Sequence, residues 1–312
     1  QWVIEDLLST GLTLLVGAPK IGKSWLTLYI ALCVSSGTPL WGFATTQGEV
    51  LCLCLEDTFS RIQQRLWRLT DEASECLYFA VQADRIQGGL LSQLQSFIAE
   101  HPKTKLVFVD TFQTVRMPSR DSAYAADYND IGVLKRFADD NGIALLVVHH
   151  TRKMGDSDVF NTVSGTTGIT GSADSTLVLT RDTRCGGTAT LSVTGRDVEF
   201  QELKLRFHDC RWELVEKTSP EELEERDVPD AVLRVVDFMA TRPGDWEGTA
   251  TNLAQEVHVE NISVAVLGKY LAQHHSFMAS RGVSYARRHH REGNLLTLSH
   301  VPSCELSEGT EG

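Results

Sequence analysis

Residues 17–24 read GAPKIGKS, which fits the pattern G-x-x-x-x-G-K-[ST] at every fixed position. An apolar run at residues 12–16 comes directly before this segment, and apolar residues with helical spacing follow it over residues 24–34. A strand, a glycine-rich loop and a helix are the context in which this pattern holds a phosphate chain. The sequence therefore predicts a phosphate-binding loop at the end of the first core strand.

The fixed positions of this loop have physical reasons. Gly17 and Gly22 allow successive backbone N–H groups to curl around an anion, and the amino end of the following helix adds its positive dipole. Lys23 can reach the β- and γ-phosphates, and the Ser24 hydroxyl can bind Mg²⁺. The alternative, a purely structural glycine turn, is disfavoured by the flanking strand and helix.

Composition limits the partners and surroundings of the chain. A net charge of −12 over 312 residues argues against a nucleic-acid-binding surface that covers the whole molecule, although it allows local basic loops. The seven cysteines include no C-x-x-C pair, so we expect neither structural zinc nor a disulfide framework, and we expect a reducing, cytoplasmic location. No apolar run approaches the roughly 18 residues of a membrane span. The acidic start is not a secretory signal, and it lies so close to the first strand that we expect a longer parent chain.

Strand-like and helical segments alternate over the first 180 residues, which predicts an α/β fold with a mostly parallel sheet covered by helices on both faces. After the first strand, we expect strands at residues 49–55, 77–81, 105–110 and 143–150, and helices at residues 59–69, 90–98 and 125–138. Short strands without helices between them follow at residues 175–180, 188–195, 203–207 and 211–215. They predict an antiparallel extension of the same sheet.

A second, smaller unit follows an acidic, proline-containing segment at residues 218–227, which is interpreted as a linker. Three helical segments at residues 229–241, 249–257 and 262–274 precede two strands around a Gly-Asn turn, the order of a winged helix. We therefore expect a core domain over residues 1–217, a winged-helix domain over residues 228–302 and a disordered polar tail over residues 303–312.

Two acidic residues at strand ends are candidates for the chemistry. Asp110 ends a strongly apolar strand, where a carboxylate can hold Mg²⁺, although acids in this position also cap helices. Glu56 follows the next strand after the phosphate loop, 33 residues beyond Lys23, where it can orient or deprotonate the attacking water. We assign Asp57 to the cap of the next helix. The residues expected to contact the nucleotide are Gly17, Ala18, Pro19, Lys20, Ile21, Gly22, Lys23, Ser24, Trp25 and Asp110.

His149 and His150 end a later strand beside the same site. A polar side chain there can sense the γ-phosphate and move the loop that follows. Because adjacent strand residues point to opposite faces, only one of the two can meet the phosphate, and we choose His150. The alternative is a buried histidine whose hydrogen bonds are satisfied within the protein.

Basic residues in two long loops and in the last hairpin are candidate contacts for DNA. The loops follow Asp110 and His150 at the edge where open parallel sheets bind their ligands. The DNA candidates are Arg116, Arg120, Arg152, Lys153, Arg287 and Arg288. Plain solvated loops remain the alternative for the first four, and docking of a protein remains the alternative for the hairpin.

Four segments in this order, GAPKIGKSWL, LCLEDT, VFVDTFQT and VVHHTRK, resemble the RecA-like ATPases. Within these, the closest group is the hexameric replicative helicases of the plasmid RepA type, and the resemblance covers residues 2–215. It implies a homo-hexamer or similar ring, with ATP and Mg²⁺ bound between subunits and single-stranded DNA in the centre. The C-terminal unit resembles the small winged-helix domains appended to mobile-element ATPases and primases.

The resemblance also implies roles for single residues. It makes Lys23 a phosphate ligand, Glu56 the catalytic base, Asp110 the Walker-B acid that holds Mg²⁺ with Ser24, and His150 the γ-phosphate sensor. It further implies an arginine finger from the neighbouring subunit. Arg196 is the candidate for it, with Lys204 and Arg206 as alternatives.

The hypothesis from the sequence is an ATP-driven, ring-forming DNA helicase that replicates a plasmid, phage or integrated element, with a primase or replication initiator as a further partner. One alternative is a RecA-like, DNA-dependent ATPase in recombination or regulation that does not unwind DNA. Another is a sequence-specific DNA-binding switch, which Glu56 disfavours because a switch needs slow turnover.

Overall fold

The computed structural model of this chain describes residues 1–116, 123–151, 159–162, 167–181, 187–259, 262–290 and 293–301. The chain divides into two units, Gln1–Thr218 and Ser219–Gly312. The predicted DNA contacts Arg120, Arg152 and Lys153 and the predicted tail at residues 303–312 lie outside the described residues. Among the described residues, no helix combines the length and the apolar character needed to cross a bilayer.

The first unit is built around strands that occur in nearly all the predicted places. In chain order they are β1 (Trp2–Ile4), β2 (Leu8–Ser9), β3 (Gly11–Gly17), β4 (Glu49–Cys54), β5 (Leu77–Ala80), β6 (Thr104–Asp110), β7 (Ala144–His150), β8 (Ser175–Arg181), β9 (Thr188–Gly195), β10 (Gln201–His208) and β11 (Arg211–Thr218). The helices of this unit are α1 (Lys23–Ser36), α2 (Phe59–Leu69), α3 (Leu90–Glu100), α4 (Phe112–Val115), α5 (Ala123–Asn141) and α6 (Thr167–Ser172). Short 3₁₀ turns occur at Ile86–Gly88 and Val159–Thr162.

Nine of these strands form one sheet in the order β11-β10-β9-β8-β3-β7-β6-β4-β5, and β1 and β2 pair separately. Every pairing from β5 to β8 is parallel, whereas β8–β9, β9–β10 and β10–β11 are antiparallel. The predicted α/β fold is therefore confirmed. One detail differs, because the strand predicted to open the antiparallel extension, β8, pairs in parallel with β3, and the extension begins at β9.

The central strands bury both of their faces. In β3, Leu15 packs into the apolar core on one face of the sheet, while Leu14 and Val16 pack into the core on the other face. Successive strand residues point to opposite faces, so a strand covered on both sides reads as a continuous apolar run. Burial of each such side chain stabilises the fold by roughly 2 kcal/mol. The sheet edge that carries the phosphate loop is therefore held by a rigid, dry interior.

The second unit consists of helices α7 (Pro220–Asp227), α8 (Asp230–Thr241), α9 (Ala250–Glu256), α10 (Val264–Gln273) and α11 (His275–Ser280), with strands β12 (Trp246–Thr249), β13 (Val283–His290) and β14 (Gly293–His300). The strands pair antiparallel in the order β12-β14-β13. An apolar core of its own includes Val232, Leu267, Leu271 and Leu298. Helices α8, α9 and α10 and the final hairpin lie where the sequence predicted them, whereas β12 and α11 were not expected.

The acidic segment that the sequence predicted as a linker is a helix, α7. The Ser219 side chain accepts a hydrogen bond from the Glu222 backbone N–H, and the Glu222 carboxylate accepts one from the Ser219 N–H. This reciprocal capping box, together with Pro220 in the first turn, satisfies the helix start. The sequence analysis did not predict this helix, because the acidic, proline-containing composition was interpreted without its helix-start signal; the role of the segment as a linker stays a prediction.

Candidate functional site

Four parallel strands bring the predicted site residues to one edge of the sheet. Gly17 of β3 pairs with His150 of β7, and Cys54 of β4 pairs with Asp110 of β6. Because the strands run in parallel, the residues that end them share the carboxyl edge, where open α/β sheets bind ligands. The phosphate loop and the amino end of α1 lie at this edge.

The two fixed glycines of the loop are required by its geometry. A Cβ atom at Gly17 would lie 2.8 Å from the carbonyl oxygen of Leu179, which is too close for any side chain. Gly22 has a φ of +112°, a conformation that favours glycine. The side chains of Ala18, Pro19 and Lys20 are exposed at the tip of the loop, while Ile21 is buried.

The Lys23 side chain is buried and hydrogen-bonded to the backbone of the phosphate loop. It is only 6% exposed, and its Nζ donates to the carbonyl oxygens of Gly17 at 2.5 Å and Ala18 at 3.0 Å. Burial lowers the pKa of Lys23 to about 8, against the opposing attraction of Asp110 and Glu56. An anionic ligand would stabilise this buried cation more strongly than the neutral carbonyl groups do.

Ser24 and Asp110 form an oxygen pair beside Lys23. The Ser24 hydroxyl donates to Asp110 Oδ2 at 2.6 Å. Burial raises the pKa of the Asp110 carboxyl, and the hydrogen bond from Ser24 opposes that shift. In the described residues no group of three or more His, Cys, Asp or Glu side chains could hold a metal. One hydroxyl and one carboxylate fit Mg²⁺, which usually takes its remaining ligands from water and substrate phosphates.

Glu56 follows β4 at the same edge, with an exposed side chain. Its Oε1 accepts a hydrogen bond of 2.8 Å from the hydroxyl of Thr111, the residue after Asp110. Glu56 is thus joined by a hydrogen bond to the residue that follows Asp110.

The prediction that Asp57 caps α2 was wrong. Thr58 is the N-cap, and its side chain accepts from the backbone N–H of Arg61. Asp57 instead accepts from the guanidinium groups of Arg61 at 2.9 Å and Arg65 at 2.5 Å. Both Asp and Thr are good caps, so the sequence alone did not decide which residue the backbone would place in that position.

The two histidines at the end of β7 point to different surroundings, as strand alternation predicts. His150 Nδ1 lies 3.2 Å from Lys23 Nζ, so this ring borders the phosphate loop. His149 is buried, and its ring contacts the edge of Phe112 with a centroid distance of 5.5 Å. The position of His150 suits a phosphate sensor, and that role remains a prediction.

The sequence profile of the AAA domain family matches residues 1–156, half of the chain. This chain belongs to the AAA domain family. It is therefore a P-loop ATPase, a class of protein that binds nucleotide, typically with Mg²⁺. No curated protein matches the sequence.

Two solved structures share the fold of this AAA domain protein. The first, an isolated ATPase domain, superposes with a TM-score of 0.55 and 15% identity over 67% of this chain and 86% of that one. A DnaB-like replicative helicase, described together with its interactions with primase, superposes with a TM-score of 0.55 and 16% identity over 67% of this chain and 58% of that one. At these identities the likeness establishes the fold, which is that of the RecA-like ATPase domains.

Sequence reasoning missed two contacts between the phosphate loop of the AAA domain and distant strands. The indole N–H of Trp212 on β11 donates to the Gly22 carbonyl oxygen at 3.1 Å, and its ring covers the space beside Gly22. Arg181, at the end of β8, places Nη2 3.4 Å from the Ile21 carbonyl oxygen. A tryptophan in a short amphipathic strand gives no sign that it packs on a loop 190 residues away.

Trp25 on α1 belongs to an aromatic group with Phe207 of β10 and Trp212 of β11, and its predicted contact with the nucleotide stays a prediction. Its ring lies 6.3 Å from that of Phe207, and the guanidinium of Arg65 lies 5.6 Å above it. The ring of Phe207 in turn contacts Trp212 at 4.9 Å. These contacts join α1 to the antiparallel extension.

Arg116, which was predicted to contact DNA, is paired with acidic side chains of its own chain. Its side chain is 17% exposed and forms ion pairs with two buried carboxylates of α5, Asp127 at 2.6 Å and Asp130 at 3.0 Å. The guanidinium also lies 5.0 Å above the ring of Phe112. A cation held in this way joins the end of α4 to α5, and its role as a DNA contact stays a prediction.

Three of the predicted cations, Arg196, Arg287 and Arg288, are exposed. Arg196 follows β9, is 62% exposed and lies 3.9 Å from Asp174. Its neighbour Gly195 pairs with Ser175 of β8. Four residues later on β8, Leu179 pairs with Gly17 at the start of the phosphate loop. This separation corresponds to about 13 Å along the strand, so Arg196 lies toward the opposite sheet edge. Arg287 and Arg288 are exposed on β13 of the second unit.

Proposed function

We propose that this chain is the motor of a ring-forming, ATP-hydrolysing DNA helicase or translocase of the RepA-type group. Its role would be the replication of a plasmid, phage or integrated element. The observation that carries the proposal is the constellation at one sheet edge: Lys23 in the phosphate loop, the Ser24–Asp110 oxygen pair, and Glu56 beside them. A phosphate cradle, a Mg²⁺ site and a carboxylate are the parts that ATP hydrolysis needs.

The residues would act as follows. Lys23 exchanges the two loop carbonyls for phosphate oxygens, and the backbone N–H groups of the loop bind the same anion. Ser24 and Asp110 would hold Mg²⁺, which would neutralise part of the charge on the phosphates. Glu56 accepts a proton from the attacking water, and His150 detects whether the terminal phosphate is present.

The position of Arg196 supports assembly into a ring. A guanidinium that lies toward the sheet edge opposite the phosphate loop of its own chain can serve catalysis only in a second copy. An arginine finger supplied by a neighbouring subunit increases the rate of phosphoryl transfer by a factor of about 10³–10⁵. We therefore propose a homo-hexamer or similar ring that encloses single-stranded DNA.

The second unit is proposed to be a winged-helix domain. Its helices precede an antiparallel hairpin, and exposed Arg287 and Arg288 on β13 suit contacts with a phosphate backbone. It would recruit the ring to DNA or to a primase or replication initiator. The DnaB-like structural neighbour, described together with its interactions with primase, makes that kind of partner a sensible first choice for a test.

A RecA-like ATPase that binds DNA without unwinding it is the second candidate. The pairing of Arg116 with two carboxylates favours it, because a cation held in this way is less able to pull on a DNA strand, which unwinding requires and binding alone does not.

The test is ATP hydrolysis and strand separation by the purified full chain on a forked duplex, together with particle images collected with and without ATP and single-stranded DNA. Helicase function predicts rings, DNA-stimulated hydrolysis and unwinding, with hydrolysis and unwinding lost in Lys23→Ala. The matched control is Lys103→Ala, because Lys103 is exposed at the opposite sheet edge and should leave activity unchanged. Hydrolysis without unwinding, and without displacement of streptavidin from DNA, would instead support the second candidate.

A further inference from the structure

Two consecutive residues at the end of β6 connect the metal-binding pair to Glu56. Asp110 accepts a hydrogen bond from Ser24, and Thr111, the next residue, donates one to Glu56 Oε1. We propose that Thr111 is a positioning residue for Glu56, which keeps the carboxylate in the orientation that activates water. This inference rests on the proposed ATPase function and adds a residue to its machinery.

The contrast in burial between the two partners supports this role. Thr111 is 1% exposed, whereas the Glu56 side chain is exposed and has several rotatable bonds. An exposed glutamate without a fixed partner samples many rotamers, and few of them place its oxygen correctly for a reaction. A donor fixed in the protein interior removes most of that freedom from one carboxylate oxygen. The second oxygen, Oε2, then remains available to accept a proton.

The hydroxyl of Thr111 does not cap the helix that begins after it, although its backbone position would allow this. Thr111 is the N-cap residue of α4, where threonine usually accepts a hydrogen bond from the first turn of the helix. Its side chain makes no such bond. The hydroxyl contacts Glu56 instead, so the most common local explanation for a threonine at this position does not apply.

A second hydroxyl lies beside this hydrogen bond. Thr114 Oγ1 lies 3.4 Å from Thr111 Oγ1. An ionised carboxylate can only accept, so Thr111 gives its single proton to Glu56 and stands to Thr114 as an acceptor. The three oxygens therefore form a chain in which every donor points toward the carboxylate.

The experiment measures steady-state ATP hydrolysis by the full chain, together with the affinity for a fluorescent, non-hydrolysable ATP analogue. Thr111→Val keeps the shape of the side chain and removes the hydroxyl. We expect kcat to fall about tenfold, while KM and the affinity for the analogue change by less than about twofold. Thr111→Ser retains the hydroxyl and should restore most of the lost kcat.

A double variant separates positioning from a general structural effect. In a Glu56→Gln background, which already lacks the base, Thr111→Val should lower the remaining rate by less than about twofold. If Thr111→Val does not fold, the pair Thr111→Ser and Thr111→Ala isolates the hydroxyl in a smaller side chain. Their kcat values should then differ about tenfold.

Three results would overturn the inference: unchanged kcat in Thr111→Val, failure of serine to restore it, or an undiminished effect in the Glu56→Gln background. A wild-type chain that neither binds nor hydrolyses ATP would refute the proposed function itself. That outcome is distinct from an active enzyme in which Thr111 does not matter.

Discussion

Raising the pH from 7 to 9 should weaken nucleotide binding through one side chain, Lys23. Burial among loop carbonyls lowers its pKa to about 8 in the nucleotide-free protein. About nine in ten molecules then carry the charged side chain at pH 7, about half at pH 8 and about one in ten at pH 9. A triphosphate binds the charged form and holds its proton. The apparent dissociation constant should therefore rise about twofold by pH 8 and about tenfold by pH 9, relative to pH 7.

The measurement is a fluorescence titration with a non-hydrolysable ATP analogue and Mg²⁺ at constant ionic strength, because salt screens the same attraction. Lys23→Arg is the matched control, since its guanidinium stays charged throughout this range. The arginine variant should show a nearly flat pH profile, whatever its affinity. A flat profile in the wild type, or an equal rise in both proteins, would refute the assignment of this charge to Lys23.

Three further predictions concern stability and use denaturant unfolding. Lys23→Met should stabilise the nucleotide-free chain by about 3 kcal/mol at pH 7, because the lowered pKa means that the buried charge opposes folding. That gain should shrink as the pH rises from about 8 toward 10.5, and a gain that grows with pH would contradict it. Trp212→Phe should cost about 1 kcal/mol and weaken binding of the ATP analogue, because it removes the hydrogen bond to the phosphate loop. The same change at exposed Trp67 should alter neither property. Arg116→Ala should cost about 3 kcal/mol by removing the cation that two buried carboxylates share, whereas exposed Arg136→Ala should change stability by less than about 0.5 kcal/mol. A normal stability with a selective loss of DNA affinity in Arg116→Ala would restore Arg116 as a DNA contact.

Local patterns predicted the secondary structure of the first unit well. The helix expected at residues 59–69 is α2 (Phe59–Leu69), and the strands that end in Asp110 and His150 begin within one residue of their expected starts. These segments have strong periodicity, and their neighbours in sequence are enough to specify them. Errors arose where two residues competed for one role, as Asp57 and Thr58 did for the helix cap.

Charge patterns were less reliable guides to the surface. Arg116 follows a strand end in a segment rich in polar residues, which favours a solvent-facing interpretation. Its actual partners, Asp127 and Asp130, are on α5, more than ten residues further along the chain. No local pattern reports whether a cation and distant acids will meet, because their contact depends on how a helix packs against the sheet.

The amino-acid sequence by itself determined the chemistry of the phosphate loop, since the loop, its lysine and its helix are contiguous and their geometry follows from short-range sterics. It also determined which strands are buried on both faces. Only the tertiary structure decided that Trp212 would cover Gly22, that Thr111 would reach Glu56, and that Arg196 would lie away from the phosphate loop of its own chain. Such contacts join residues far apart in sequence, and they exist only once the order, register and curvature of the sheet have brought those residues together.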